Sequence, residues 1–285
     1  MTRYSDADLI LNNDGSIYHL NLKPENVAED IILVGDPERV ARISRHFSSI
    51  EFETQKREFL THTGIINQKR VTVMSTGMGV DNIEIAMIEL DALFNIDLNS
   101  RLPLPDKKSI NLIRIGTSGA IHEEVHSGSE VISQYGIGLD NLIHYYQLEQ
   151  SDRESELGNN IANTLDLPQI PYVVKGSETL IDRLGHGFLE GNTVTTPGFY
   201  GPQGRRLRLA VNNPQFLEKI RSFNFNNFRF TNFEMETSSI YAFARLLGHE
   251  AISINAILGN RSQGTFAKDP YKTIDSVIEK VLSRL

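Results

Sequence analysis

The feature that most restricts the fold is an alternation. Short runs that are apolar throughout are closed by a glycine turn and followed by an amphipathic helical pattern. Residues 30–43, DIILVGDPERVARI, set the plan: apolar run, Gly35, then a helix with Pro37 at its first position, where a missing N–H costs nothing. Residues 71–94, VTVMSTGMGVDNIEIAMIELDALF, repeat it, with Ile83, Ala86, Met87, Leu90, Leu93 and Phe94 on one helical face. INLIRIGTSGAI (110–121), SEVISQYGIG (129–138) and AISINAILG (251–259) read as further strands. A strand with no polar face is covered on both sides, so the pattern predicts an α/β domain around a mostly buried central sheet. The polar stretches 98–109 and 148–160 read as surface loops or a helix start and are too short for domain linkers. With no internal repeat or low-complexity tract, one domain over 1–285 is expected.

Arg114 breaks the apolar pattern of its strand. A lone buried cation costs several kcal/mol or more, so it needs either a carboxylate partner or a bound anion. The formal charge of −8 argues against a nucleic-acid or anionic-membrane surface, so basic residues that serve a ligand must act locally. The chain has no cysteine, which excludes disulfides and thiolate chemistry. No stretch approaches a membrane span, and the N-terminal residues lack the apolar core of a signal peptide, so a cytoplasmic location is expected.

Three motifs point to chemistry that their context opposes. HEEVH, residues 122–126, has the spacing of a zinc-binding helix, but glycines bracket it and a strand follows directly. It reads as a polar turn, and no metal site is expected. GMGVDN from Gly77 and GIGLDN from Gly136 each lack the third glycine of a dinucleotide fingerprint. Both read as tight turns that need positive φ.

Four segments carry a candidate site. In VGDPERV, a helix start offers backbone N–H groups to an anion, with Arg39 in the first turn; the alternative is a surface arginine paired with Asp36 or Glu38. RIGTSG offers Arg114, the hydroxyls of Thr117 and Ser118, and amides freed by Gly116 and Gly119 just past a strand end, a set suited to phosphate. FEMET sets Glu234 and Glu236 opposite Phe233 and Met235, placing the carboxylates either for sugar hydroxyls or for a helix N-terminus. GFYGPQGRR displays Phe199, Gln203 and Arg205, which can read the polar edge of a flat heterocycle or lie in a solvated loop.

The ordered set VGDPERV, REF, STGMG, RIGTSGAI, FYGPQGR, FEMET and LGNRSQ resembles the nucleoside phosphorylase family, and most of all its uridine phosphorylase branch. The resemblance implies a three-layer α/β/α single domain with a central mixed, partly barrel-like sheet. It assigns phosphate to Gly35, Arg39, Arg114 and Thr117, with Arg57 supplied by a neighbouring subunit. It assigns ribose to Thr117, Glu234, Met235 and Glu236, with His19 reaching across the same interface. It assigns the base to Ser118, Gly119, Phe199, Gln203, Arg205, Phe233 and Arg261. Arg114, Glu236, Gln203 and Arg205 are the residues expected to carry the reaction, and phosphate is expected to be the counter-ion of Arg114.

The implied reaction is reversible phosphorolysis of uridine through an oxocarbenium-like transition state, with inorganic phosphate as co-substrate and no cofactor. Partners are a small-molecule nucleoside, phosphate and at least one further copy of the chain, in a dimer or a hexamer. The alternatives are a purine nucleoside phosphorylase, a nucleosidase using water, or a non-catalytic nucleoside-binding relative. Asn260 and Arg261 stand where purine-cleaving relatives carry an aspartate, which favours a pyrimidine. Some relatives bind potassium at an interface; Glu58 matches one ligand, but Asn82 replaces an expected serine and no ion is expected.

Overall fold

The computed structural model describes residues 3–285. Its first third holds β1 (Asp30–Val34), α1 (Pro37–Ser44), β2 (Ser49–Lys56), β3 (Phe59–Ile66), β4 (Lys69–Ser75) and α2 (Val80–Asn95). The middle holds β5 (Ile96–Asp97), β6 (Leu102–Pro103), β7 (Asn111–Ala120), β8 (Glu130–Gly138), α3 (Asp152–Leu165), β9 (Tyr172–Lys175) and α4 (Glu178–Leu184). The last part holds β10 (Leu189–Thr195), α5 (Phe216–Ser222), β11 (Asn232–Glu234), α6 (Thr237–Leu247), β12 (Glu250–Asn260), β13 (Thr265–Phe266) and α7 (Pro270–Leu282).

The apolar runs become the centre of a mixed sheet. β4, β1, β7 and β12 lie parallel in that order, and β3 and β2 continue it antiparallel at one edge. Beyond β12 the sheet curls. β12 pairs antiparallel with β8, β8 with β10 and β10 with β11 in parallel, and β11 returns antiparallel to β7. β7, β12, β8, β10 and β11 therefore close a five-stranded ring, and β7 is the strand shared by the open sheet and the barrel. Helices cover both faces, as the resemblance implied: α1 packs on β1, β3 and β4, α6 on β8, β10 and β12, and α7 on β12 and β7.

Burial follows the sequence pattern. Ile31, Ile32, Leu33, Val71, Val73, Leu112, Ile113, Ile252 and Ile254 are buried together with Ile83, Met87 and Leu90 of α2. Each such side chain contributes about 1.5–3 kcal/mol relative to exposure. A second apolar cluster under α3 and α5 is built from Phe223, Phe228, Phe230 and Phe233.

Three expectations need correction. RIGTSG is not a turn past a strand end: β7 runs to Ala120, because β12 pairs with it in parallel from Asn111 to Ala120 along one edge. GIGLDN is not a positive-φ turn either. Gly136 and Gly138 lie inside β8, and a side chain at Gly136 would come within 2.7 Å of the Ser238 backbone. The polar stretch 98–109 is not all loop, since β6 forms a small hairpin with β5. GMGVDN does turn as expected, with Gly77 and Gly79 at φ 71° and 97°. The stretch 148–160 is a helix start, with Ser151 capping α3.

Candidate active site

A cleft of about 830 Å³ opens where β1, β7, β11 and β12 end. Its position follows from the pairing of β7. β1 pairs with β7 only as far as Arg114, and β11 joins the same edge only at Gly119 and Ala120. The sheet is split between those points, and Arg39 from α1 enters the split, donating to the Ile115 carbonyl at 3.1 Å. Gly35, Arg39, Arg114, Thr117, Ser118, Gly119, Phe199, Gln203, Arg205, Phe233, Glu234, Met235, Glu236 and Arg261 all line this one cleft, although they come from segments scattered along the chain.

Arg114 is buried, and its partners are not those the sequence reading favoured. Nη2 donates to Glu236 Oε2 at 2.5 Å and lies 3.0 Å from Glu234 Oε2, while Nη1 donates to Asn255 Oδ1 at 2.7 Å and Ser253 Oγ at 3.2 Å. The counter-ions of Arg114 are thus two carboxylates of the protein itself. Burial alone would lower its pKa, but Glu234 and Glu236 outweigh that and hold it above the ordinary guanidinium value. Gly116 makes the arrangement possible, because a Cβ there would sit 1.9 Å from Arg114 Nη1.

The two carboxylates differ. Glu234 Oε1 accepts from Thr195 Oγ1 at 2.6 Å, and Oε2 accepts from the Glu236 and Thr237 amides at 2.9 and 2.8 Å, which caps α6. Its acceptor capacity is spent on the fold, so it is poorly placed to take the ribose hydroxyls the resemblance assigned to it. Among the described residues, the Glu236 side chain is held by Arg114 and by the Gly79 amide at 2.8 Å. Burial raises its pKa, and the adjacent Glu234 adds to the effect while Arg114 opposes it.

Arg39 is the less compensated cation. Among the described residues it makes no ion pair with Asp36, Glu38 or any other carboxylate, and Asp36 instead caps α1 by accepting from the Glu38 amide at 3.0 Å. The cap also occupies part of the helix start that had been expected to serve an anion. Burial, followed by the charge of Arg114, pushes the Arg39 pKa down to about 10. A half-buried cation facing another guanidinium calls for a bound anion.

The opposite end of the cleft is built by the loop after β10. Gln203 is buried in a single helical turn; its Nε2 donates to Thr196 Oγ1 at 2.9 Å and its Oε1 accepts from Arg205. Arg205 also donates to the Phe199 carbonyl at 2.6 Å and stacks 3.6 Å from the centre of the Phe199 ring. Burial, then the charge of Arg261, brings its pKa to about 10. Asn260 is fully engaged: its Nδ2 donates to the His122 and Val125 carbonyls, and its Oδ1 accepts from the Ser262 and Gln263 amides. The position has no acid and no free hydrogen-bonding group.

His19 and Arg57 do not line the cleft. His19 is held by Glu89, with Nδ1 to Oε1 at 2.6 Å, and Arg57 is exposed at the tip of the β2–β3 hairpin with φ 54°. HEEVH is a turn between β7 and β8, as expected. Burial and then Arg229, which points a donor at His122 Nδ1 from 3.1 Å, lower the His122 pKa, and no metal-type cluster forms among the described residues. The cleft also contains residues given no role from the sequence: Met78 and Leu258, within STGMG and LGNRSQ, and Phe266, outside every quoted motif. Phe266 follows the Arg261 turn and reaches the cleft because β13 folds back on Gly259 and Asn260. A second cleft of about 880 Å³, beside the 96–108 segment, has a mixed lining of Lys23, Lys69 and Lys108 with Glu25, Glu29 and Asp97. It has no comparable convergence of functional groups.

A family model described as the phosphorylase superfamily matches residues 29–285. The chain belongs to this superfamily. The likeness read from the motifs is therefore confirmed at the level of family. A uridine phosphorylase of Thermococcus kodakarensis is 28% identical over 268 residues, covering 93% of this chain and 85% of the relative. A DeoD-type purine nucleoside phosphorylase of Streptococcus suis is 26% identical over 281 residues, covering 94% and 98%. Among solved structures, a Trypanosoma brucei nucleoside phosphorylase described as showing uridine phosphorylase activity superposes with a TM-score of 0.88 at 29% identity, covering 98% of this chain and 100% of that one. No helix among the described residues is long and apolar enough to cross a membrane.

Proposed function

We propose that this member of the phosphorylase superfamily is a uridine phosphorylase, converting uridine and phosphate reversibly to uracil and ribose 1-phosphate. The observation that carries the reading is the polarity of one cleft: an arginine, Arg39, that makes no ion pair among the described residues at one end, a buried carboxylate at Glu236, and an amide–guanidinium pair at Gln203 and Arg205. That order matches phosphate, sugar and pyrimidine laid end to end. The uridine phosphorylase names of several relatives support it.

Cleavage of an N-glycosidic bond builds positive charge on the sugar and negative charge on the base, and groups fixed where those charges appear lower the barrier. Phosphate bound by Arg39, Gly35 and Thr117, with Arg57 of the partner subunit, sits beneath the sugar carbon as nucleophile and favours the cationic centre. Glu236 and Met235 hold the ribose, with His19 of the partner subunit at its far end. Gln203 and Arg205 bind the edge of the uracil and stabilise its anion as it departs, with Ser118, Gly119, Phe199, Phe233 and Arg261 around the ring. Arg114 fixes Glu236 and meets the phosphate from the side, and Glu234 acts through Arg114 and the α6 cap. The chemistry calls for no cofactor besides phosphate.

A purine substrate is the second reading, because DeoD-type relatives match as much of the chain, at slightly lower identity. Asn260 weighs against it, since its side chain has no proton-donating role left to offer a purine. A panel of pyrimidine and purine nucleosides, followed by absorbance with and without phosphate, decides. Phosphate-dependent release of uracil but not hypoxanthine is expected; phosphate-independent cleavage, or preference for inosine, contradicts the reading.

A further inference from the structure

Ser133, Thr193, Asn232 and Asn255 are polar, fully buried and without a role in the reaction described above. They occupy four strands of the closed ring, β8, β10, β11 and β12, one residue on each. Their side chains join around its inside. Arg114 Nη1 donates to Asn255 Oδ1 at 2.7 Å, and Asn255 Nδ2 donates to Ser133 Oγ at 3.2 Å. The Ser133 and Thr193 hydroxyls meet at 2.6 Å, Thr193 donates to Asn232 Oδ1 at 3.0 Å, and Asn232 Nδ2 donates to Ser118 Oγ at 2.9 Å. The path starts and ends on β7, at two residues that line the cleft.

The direction of this path is determined by chemistry. A guanidinium only donates, so Asn255 must present its oxygen to Arg114 and its NH₂ to Ser133. Thr193 has one proton and gives it to Asn232 Oδ1; with the Asn232 amide turned the other way, the buried Ser133 and Thr193 hydroxyls would hold two protons and only each other as acceptors. Ser133 therefore gives its own proton to Thr193. Every link points the same way, an arrangement in which each bond polarises the next. Ser118 is the last acceptor, and among the described residues no protein group accepts its own proton. That proton is left for whatever fills the cleft.

We propose that Asn255, Ser133, Thr193 and Asn232 are positioning residues: a one-way hydrogen-bonded ring, anchored on Arg114, that makes the Ser118 hydroxyl a committed donor toward the bound nucleoside. The carbonyl oxygens of a uracil ring are suitable acceptors. The inference rests on the uridine phosphorylase reading, and wild-type turnover of uridine is the control that separates the two.

Thr193→Val keeps the side-chain shape and breaks the ring in the middle. Its kcat/KM for uridine is expected to fall about tenfold, the order expected for one hydrogen bond to the reacting complex, and Thr193→Ser is expected to restore it to within about twofold. Ser118→Ala is expected to lose a similar factor. In the double variant the Thr193→Val loss should disappear, because its effect acts through a hydroxyl already removed. A residue that merely supports the fold gives losses that multiply. Thermal melts check folding, and if Thr193→Val does not fold, Ser133→Ala breaks the adjacent link and enters the same cycle. Losses that multiply, or a folded Thr193→Val enzyme with wild-type kcat/KM, overturn the ring. A wild-type chain inert toward uridine overturns the reaction reading, and the ring's proposed role falls with it.

Discussion

At the scale of single residues, the informative contrast is between Arg114 and Arg39. Both are guanidinium groups drawn out of water, but Arg114 has two carboxylates and two neutral acceptors while Arg39 has one backbone carbonyl. The buried-charge argument correctly demanded a partner for Arg114, and it named carboxylate and ligand as the two options. It could not choose between them, because Glu234 and Glu236 lie more than a hundred residues away in sequence and only the β11–β7 pairing brings them close. Arg39, whose place in the first turn of a helix already pointed to a bound anion, is the better candidate for it. Arg39→Ala is therefore expected to reduce kcat/KM for phosphate by about 10- to 100-fold, the loss of a charge-assisted hydrogen bond, with Arg39→Lys intermediate because charge remains and the fork is gone. Initial rates against phosphate concentration test this. Unchanged phosphate dependence in Arg39→Ala would assign the anion elsewhere.

At the scale of elements, the alternating pattern was enough to locate β1, α1, β4, α2, β8 and β12, because a fully apolar strand and a one-faced helix each leave a local signature. The strand readings of 110–121 and 129–138 hold as β7 and β8, while the competing turn readings of RIGTSG and GIGLDN within them do not. Both strands depend on pairing with a strand far along the chain, which overrides the turn preference of Gly, Ser and Thr. The ring residues were hidden, since a serine or threonine in a strand looks the same whether it faces water or a barrel interior. The seating of α3 is a local feature with a testable pH dependence. Glu154 completes a capping box with Ser151, accepts from the Lys175 amide at 2.9 Å, and takes both Arg245 nitrogens at 2.8 Å. Burial alone would raise its pKa, but those hydrogen bonds outweigh it and hold the carboxyl below the usual value of 4.5. A depressed folded-state pKa gives stability that is present above the unfolded value and lost as pH falls through the folded one. Glu154→Gln is expected to destabilise by about 1–3 kcal/mol at neutral pH, with the gap to wild type closing as the pH falls from 4.5 through the lower folded-state pKa. Urea unfolding across pH measures it; a gap that persists undiminished into acid argues against the ionised carboxylate as its source.

At the scale of the whole molecule, a cleft shared by β1, β7, β11 and β12 explains how short motifs dispersed over the chain converge on one substrate. The two residues that do not converge, His19 and Arg57, are the two that the family resemblance assigns to a neighbouring subunit. Shared sites make a distinctive prediction. Arg57→Ala and Glu236→Ala chains are each expected to be nearly inactive, yet subunits mixed by co-expression should recover activity, because a hybrid assembly contains one complete site. A verified hybrid as inactive as its parents would place Arg57 outside the reaction.

If phosphate itself attacks the sugar, phosphorus NMR of the wild-type enzyme with uridine and inorganic phosphate records the transfer. A ribose 1-phosphate resonance is expected to grow in step with uracil while the inorganic phosphate signal declines. Uracil released with free ribose and an undiminished phosphate signal would contradict attack by phosphate.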